Sequence, residues 1–411
     1  MKFLIVGIII GVFIIETIAS LLNFKSRKNE IPPVTKDIYD FDQYQQWLAY
    51  FMSNFRFSMI KSIFETLLLI VALFSGAFAW LDTILSPLAF GDIWHSILYL
   101  SILLTIFSII DLPFDYYQTF HIEAMFGFNK TTQKTFWFDQ LKRWLISIAL
   151  LSGIVWVLLS LYFAFQDRLW YFIIGAWMVL SIVLIVLFIL NTKVFIKIFN
   201  RLTPLEEGTL KTKISELASR VGFKIDAISS MDASKRSSKL NAFFSGLGKT
   251  REVVLYDTLI EKMSEDQIVS VLAHELGHAK HHDVIFLLLR QIIMFGLYAI
   301  LLGVILQNEI FTTSFGFSGF HFGFSIILFS ILMSPFNLLI GFLLNYLSRK
   351  AEYKADAFAC RMTDTQSMIE ALKVIAKANY SNLTPHPFYV LMHYSHPTIA
   401  DRLQAMEGIN H

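Results

Sequence analysis

The stretch Val271-Leu272-Ala273-His274-Glu275-Leu276-Gly277-His278 decides how the rest of the chain is read. On a helix, residues four apart share a face, so His274 and His278 can point side by side at one metal ion, with Glu275 beside them. That is the H-E-x-x-H pattern, two imidazoles on zinc and a carboxylate that takes a proton from water. The helix has its own start signal. Ser264-Glu265-Asp266-Gln267 reads as a capping box, Ser264 at the N-cap and Gln267 three residues later. Ile268, Val269, Val271, Leu272 and Leu276 give the following turns apolar contacts. Five letters also arise by chance, and two histidines on a helix are often plain polar packing. The zinc reading therefore rests on the rest of the chain.

The composition is that of a membrane protein. Of 411 residues, 55% are hydrophobic and only 16% charged, and mean hydropathy is +0.57. A soluble chain of this size needs more surface charge. A net charge of +2 gives no reason to expect nucleic acid. The single cysteine, Cys360, excludes an intrachain disulfide and a cysteine-built zinc site, and reads as a packed small apolar residue.

Apolar stretches long enough to cross a bilayer lie near 3–23, 60–81, 93–113, 144–165, 169–191, 284–306 and 324–347. The first also has the look of a cleaved signal peptide, a basic start with small Ala19 and Ser20. A retained span fits the later topology better, although the remaining loops keep their pattern without it. Loops 24–59, 114–143, 192–283 and 348–411 are rich in Lys and Arg. Loops 82–92 and 307–323 have neither, and the link 166–168 has Arg168 alone. By the positive-inside rule this alternation puts the N-terminus outside and the C-terminus in the cytoplasm.

In the soluble segment, Thr203-Pro204-Leu205-Glu206 reads as the start of a helix running to about Val221. Residues 223–230 suit a short strand. Asn241 to Gly246 and Arg251 to Tyr256 flank a Gly-Lys-Thr turn and read as a hairpin.

A catalytic zinc takes three protein ligands and keeps a fourth position open. Topology supplies the third. After the sixth and seventh spans the chain returns to the side of His274 and His278, reading Arg349-Lys350-Ala351-Glu352-Tyr353-Lys354-Ala355-Asp356. Glu352 is thus brought level with the histidines. Asp356, one turn on, can accept the second N–H of a ligand histidine. Away from the histidines, both acids would read as charges balancing nearby Lys and Arg. His282 continues the four-residue spacing, but lies about 12 Å along the axis from His274. A metzincin would have Gly and His where His281 and Val284 stand. A protease with its motif inside a span would not follow it with Lys280, His281, His282 and Asp283.

On these residues the chain resembles the type I CAAX prenyl proteases, integral-membrane zinc endopeptidases of the gluzincin kind. The resemblance covers nearly the whole chain. It rests on His121-Ile-Glu-Ala-Met-Phe-Gly-Phe-Asn-Lys-Thr131, on Ser234-Lys-Arg-Ser-Ser-Lys-Leu-Asn-Ala-Phe-Phe244, and on the block at 274–278. Ser348-Arg-Lys-Ala-Glu352 with Ala355-Asp-Ala-Phe-Ala359, and Tyr394-Ser-His-Pro397, complete it. It implies His274, His278 and Glu352 as ligands to one zinc ion per chain and Glu275 as general base. His396 would donate a hydrogen bond to the oxyanion; from the residues alone it is only a His before Pro in a polar turn. Asn241 and Ala242 would lie on a strand edge that pairs with the substrate backbone. Members enclose a water-filled chamber, which Glu16, Glu65 and Asp111 would fit by facing it, packing roles being equally open.

The expected fold is therefore mainly α, seven transmembrane helices enclosing a chamber, with a small α+β cytoplasmic zinc-metalloprotease domain. The expected division is spans one to five at 1–191, the metalloprotease core at 192–283, spans six and seven at 284–347, and a C-terminal cytoplasmic part at 348–411. The expected function is removal of the C-terminal tripeptide from prenylated CAAX proteins, at a plasma or endoplasmic-reticulum membrane. The C-terminus Gly408-Ile-Asn-His411 has no evident retention signal. Partners are a peptide or protein substrate and the lipid bilayer, with oligomeric state open. The rivals are a membrane-protein quality-control protease without a prenyl requirement and a zinc-bearing non-catalytic chaperone. A structural zinc would need a fourth protein ligand, and no cysteine stands nearby to give one.

Overall fold

Among the described residues of the computed structural model, seven helices are long and apolar enough to cross a bilayer. The structure describes residues 1–88, 91–245 and 250–410. The helices are α1 (Lys2–Ser26), α2 (Phe41–Ser75), α3 (Ala77–Leu85), α4 (Asp92–Tyr117), α5 (Gln133–Ala164), α6 (Leu169–Leu190) and the short α7 (Ile196–Phe199). Then come β1 (Leu202–Pro204), α8 (Thr209–Val221), β2 (Lys224–Met231), β3 (Ala242–Ser245) and β4 (Thr250–Tyr256). The chain closes with α9 (Asp257–Lys262), α10 (Glu265–Lys280), α11 (Asp283–Leu306), α12 (Ile310–Thr313), α13 (Phe322–Met362), α14 (Thr365–Ala378), α15 (Pro387–His393) and α16 (Ile399–Glu407). The spans are α1, α2, α4, α5, α6, α11 and α13, with α4 prolonged through a π-helical turn to Glu123.

Two spans reach well beyond the membrane. At 1.5 Å per residue, the 41 residues of α13 cover about 60 Å, twice a hydrocarbon core of about 30 Å. Its apolar first part lies in the bilayer and its last turns carry Glu352 and Asp356 into the soluble part. Helix α2 does the same in reverse. Asp40 caps it, accepting from Gln43 N–H at 2.9 Å, and the buried Trp47 of its first turns joins the soluble core. The apolar run read at 60–81 is not one helix. Gly76, at φ 75°, ends α2 and opens α3, a backbone conformation in which a side chain is strained.

Besides a small cluster of Met231, Ala233 and Val254, the described residues build two large cores. One lies among the spans, centred on Tyr99, Leu159, Phe172 and Phe324. The other packs α10 between α8, the sheet, the end of α13 and α14, through Ile214, Leu255, Leu272, Leu276 and Ala359. Large apolar side chains such as Phe286 and Ile293 stay exposed on the outer faces of the spans, which suits a lipid environment.

The sheet has the order β1-β2-β4-β3, with β2 and β4 parallel and the two outer pairs antiparallel. The expected strand and hairpin are present as β2 and as β3 with β4; the turn between them, at 246–249, lies outside the described residues. The helix expected from Thr203 starts later, at Thr209. Thr203 and Pro204 instead pair as an edge strand with Ser230 and Ser229. Proline is tolerated there because an edge strand leaves one side of its backbone unpaired.

Candidate active site

Helix α10 positions the pair as its spacing requires. Ser264 accepts from Gln267 N–H at 3.3 Å, and the Gln267 side chain accepts in return from Ser264 N–H at 3.0 Å. The apolar residues of α10 bury it on almost every side, and His274 is buried with them. The two Nε2 atoms, His274 and His278, lie 3.1 Å apart. Helix α13 brings Glu352 against both, Oε2 at 3.4 Å from His274 Nε2 and Oε1 at 3.3 Å from His278 Nε2. Gly277 makes this approach available. A Cβ there would stand 3.0 Å from the Cα of Ala355, so α10 and α13 touch backbone to backbone between the histidines and the carboxylates.

The proton positions favour a cation. His274 Nδ1 lies 2.8 Å from Asp356 Oδ1, and His278 Nδ1 lies 2.9 Å from Asp283 Oδ2. Each Nδ1–H donates to its carboxylate, which leaves both Nε2 lone pairs facing one another and Glu352. Three acceptors at that spacing repel unless a cation or a proton lies between them. Glu352 Oε2 is buried, with His396 Nδ1 at 2.8 Å and His274 Nε2 at 3.4 Å. The donor set, two neutral imidazoles and one carboxylate whose ligand atoms lie within 4.8 Å of one another, fits a divalent metal.

A second cluster, Asp82, His95 and His321, has similar composition but not this arrangement. His321 Nδ1 accepts from Phe324 N–H at 3.0 Å, so its proton sits on Nε2 and is donated to Asp82 Oδ1, also at 3.0 Å. A ring in that tautomer presents no lone pair at Nε2 to a metal.

The same carboxylates favour a positive charge at the rings, whether a metal or a proton carries it. Burial opposes charge on His274, but the Asp356 and Glu352 carboxylates outweigh it and raise its pKa. Burial likewise opposes charge on His278, which Glu352 and Asp283 push up to about 9. Burial raises the Glu275 carboxyl above the ordinary carboxylate range, against the pull of the two imidazoles. A carboxylate so raised is a better proton acceptor.

A cavity of about 560 Å³ opens over these groups, lined by Asn241, Ala242, Glu275, His274, Tyr394, His396 and Arg402. The structure places His396 at its rim, between α15 and α16, with Nδ1 2.8 Å from Glu352 Oε2 and a side chain 61% exposed. Ala242 begins β3, which lies at the edge of the sheet. Its N–H is occupied by the side-chain oxygen of Asn241 at 2.9 Å. All eight residues singled out in the sequence thus gather around one cavity or its buried wall.

Two residues of the site went unread in the sequence. Arg402 is buried and forks onto Asp356, Nε to Oδ2 at 2.8 Å and Nη2 to Oδ1 at 2.6 Å. Its signal was its place on the apolar stripe of α16 with Ile399, Leu403 and Met406. In the sequence, Asp283 reads as polarity at a membrane boundary. His282, at φ 60°, reverses the chain after α10 and returns Asp283 to His278. A non-glycine residue in that conformation costs about 1–2 kcal/mol.

The chain compares with known proteins over its full length. Residues 20–191 match the family described as CAAX prenyl protease N-terminal, five membrane helices, and residues 204–410 match peptidase family M48. CAAX prenyl protease 1 of Saccharomyces cerevisiae is 32% identical, covering 100% of this chain and 96% of that one. The chain belongs to the CAAX prenyl protease 1 family of M48 peptidases. The Homo sapiens homologue is 30% identical over 92% of this chain and 88% of its own. The crystal structure of S. mikatae Ste24p superposes with a TM-score of 0.93 at 30% identity, covering 99% of each chain. As a member of this family the chain is an integral-membrane metalloendopeptidase, mainly helical, with seven apolar helices and one small sheet.

Proposed function

We propose that the chain is a zinc endopeptidase that removes the C-terminal tripeptide from prenylated CAAX proteins. The observation that carries the zinc assignment is the pair of Nε2 lone pairs 3.1 Å apart against Glu352, each imidazole held in that tautomer by a carboxylate on Nδ1. His274, His278 and Glu352 would hold the ion, leaving the cavity side open. When bound, zinc supplies a Lewis acid that lowers the pKa of water and polarises a carbonyl.

The chain's own residues do the rest. Glu275 takes the proton of the attacking water and passes it to the leaving amine. His396 donates a hydrogen bond to the oxyanion that develops on the scissile carbonyl. Asp356 and Asp283 keep the imidazole protons on Nδ1, and Arg402 neutralises Asp356. The β3 edge takes the substrate as an added strand, whose carbonyl replaces Asn241 at the Ala242 N–H.

The membrane part is read as a water-filled chamber. Lys61 on α2 pairs with Glu65 at 3.4 Å and with Asp111 at 3.3 Å, the two acids 45% and 44% exposed within spans. Charges so exposed are costly in hydrocarbon and belong on a hydrated surface. The alternation of basic loops supports an outer N-terminus and a cytoplasmic C-terminus, with 192–283 and 348–411 meeting as the catalytic side.

A CAAX substrate is what the name of the family, CAAX prenyl protease 1, points to. Purified protein in detergent, incubated with a farnesylated CAAX peptide and read by mass spectrometry, should release the terminal tripeptide, and Glu275→Gln should not. Equal cleavage of the unprenylated peptide would remove the prenyl requirement. No cleavage of either by metal-loaded protein would remove the substrate assignment.

A further inference from the structure

His396 presents a positioning problem. Its side chain is 61% exposed, and its Nδ1 lies 2.8 Å from Glu352 Oε2. Beyond that contact, its place beside His274 and His278 depends on the backbone of the turn 394–398. That turn is tied to α13 at both ends. Downstream, Thr398 caps α16, and Arg402 of α16 is locked onto Asp356 by two hydrogen bonds. Upstream, the tie is Arg349, which none of the chemistry above uses. Its Nη1 donates to Tyr394 O at 2.7 Å and to Val390 O at 3.1 Å, both at the C-terminal end of α15. Asn345 Nδ2 donates to Met392 O at 2.6 Å beside them.

These groups lie on one stripe. Residues 345, 349, 352 and 356 follow the spacing i, i+4, i+7, i+11, a single face of a helix. The face that presents Glu352 to the histidines therefore also grips both flanks of the turn carrying His396. The last carbonyls of a helix have no partner within it, and a cation placed there satisfies them and opposes the helix dipole. Arg349 does this at the end of α15, taking Tyr394 O and sharing Val390 O with the Tyr394 N–H. A guanidinium is suited to it because its fork is planar and rigid, whereas a lysine offers a flexible point charge.

We propose that Arg349, assisted by Asn345, is a positioning residue that sets His396 over the metal pair. It acts through the carbonyl of Tyr394 and touches neither metal ligand nor substrate. This rests on the reading of His396 as the oxyanion donor. A displacement of about 1 Å at such a donor costs on the order of 100-fold in turnover. Loss of the Arg349 tie should therefore lower kcat with little change in KM, because the strand edge read as the substrate site belongs to β3, which Arg349 and Asn345 do not bond.

The test is a mutant cycle on the full chain in detergent, with kcat, KM and bound zinc measured for each protein on a farnesylated CAAX peptide. Arg349→Ala should lower kcat by about 10–100-fold, with KM within about twofold of wild type and one zinc per chain retained. Arg349→Lys should recover part of the loss, and Asn345→Ala should show a smaller loss of the same kind. In a His396→Ala background, Arg349→Ala should cost nothing further, since the group it positions is gone. If His396→Ala is slow and Arg349→Ala multiplies that loss in full, Arg349 does not act through His396, and the proposal falls while the reading of His396 stands. If His396→Ala turns over like wild type, the reading of His396 falls, and the positioning role with it. Loss of zinc in both Arg349→Lys and Asn345→Ala would make the stripe merely structural and also overturn the proposal.

Discussion

Gly277→Ala tests how closely the two ligand-bearing helices must approach. The added Cβ would meet Ala355 Cα at 3.0 Å, and its Cβ and O at 3.3 Å each. Ordinary carbon–carbon contacts lie at about 3.5–4.0 Å, so the helices must part by roughly 0.5–1 Å. The obstacle is backbone, and no side chain can turn aside. Metal–ligand distances tolerate only about ±0.2 Å. Since Ala355 sits between Glu352 and Asp356, the displacement falls on the third ligand. Two effects compete. Replacing a helical glycine by alanine gains about 1 kcal/mol in helix propensity, whereas overpacking a tight contact costs about 1–3 kcal/mol. Overpacking wins, and most of it is relieved by moving Glu352 away from the histidines. If about 1.4–2.8 kcal/mol is taken from the metal site, zinc affinity falls by roughly 10–100-fold. The assay is zinc competition against a chelator buffer on detergent-solubilised full chain, with kcat at saturating zinc. Gly153→Ala in α5, where an added Cβ meets nothing within 4 Å, is the control and should leave zinc affinity unchanged. Wild-type zinc affinity in Gly277→Ala would refute the reasoning, since the backbone contact would then play no part in setting the ligand distances.

Four further outcomes follow from the same geometry. Glu275→Gln should bind zinc with wild-type affinity while peptide turnover falls by at least about 10²-fold, measured by metal analysis and single-turnover cleavage. Glu352→Ala should lose bound zinc, and full occupancy by mass spectrometry would remove it from the ligand set. Asp356→Ala should be strongly destabilising, because it leaves the buried Arg402 guanidinium with only the longer contact to Glu352 at 3.8 Å and removes a buried pair worth about 3–5 kcal/mol when broken; thermal unfolding should show it, and Asp356→Ala with Arg402→Met should recover part of the loss. Stripping the metal with a chelator should abolish cleavage, and zinc at about 1,000 times its Kd should restore it and add about 4 kcal/mol of stability, read as a rise in Tm.

Much of this protein is legible in its sequence because the signals are local. A four-residue spacing on a capped helix puts His274 and His278 on one face whatever surrounds them. Apolar runs of membrane length and the alternation of basic loops need no tertiary contact to be read. Even Glu352 follows from topology, since two spans return the chain to the side it left. The misreadings are also local: Thr203-Pro204 carries a helix-start signal that pairing with Ser229 and Ser230 overrides, and Gly76 interrupts a run whose hydropathy continues unbroken.

What only the tertiary structure decided is which groups meet across sequence. Arg402 reaches Asp356 from 46 residues away and lies 3.5 Å from His274 Nδ1 across 128. Arg349 reaches Tyr394 from 45. No periodicity connects such positions. A buried arginine has no hydropathy signature except its place on an apolar stripe, and Gly277 looks like a weak spot in a helix until Ala355 is seen against it. The sequence by itself determined the helix that carries His274 and His278, the apolar helices, and the return of Glu352 to the histidines. The fold decided the proton positions on the two imidazoles, the closeness of α10 to α13 and the placement of His396, because each of these depends on distances that arise only when separate helices pack.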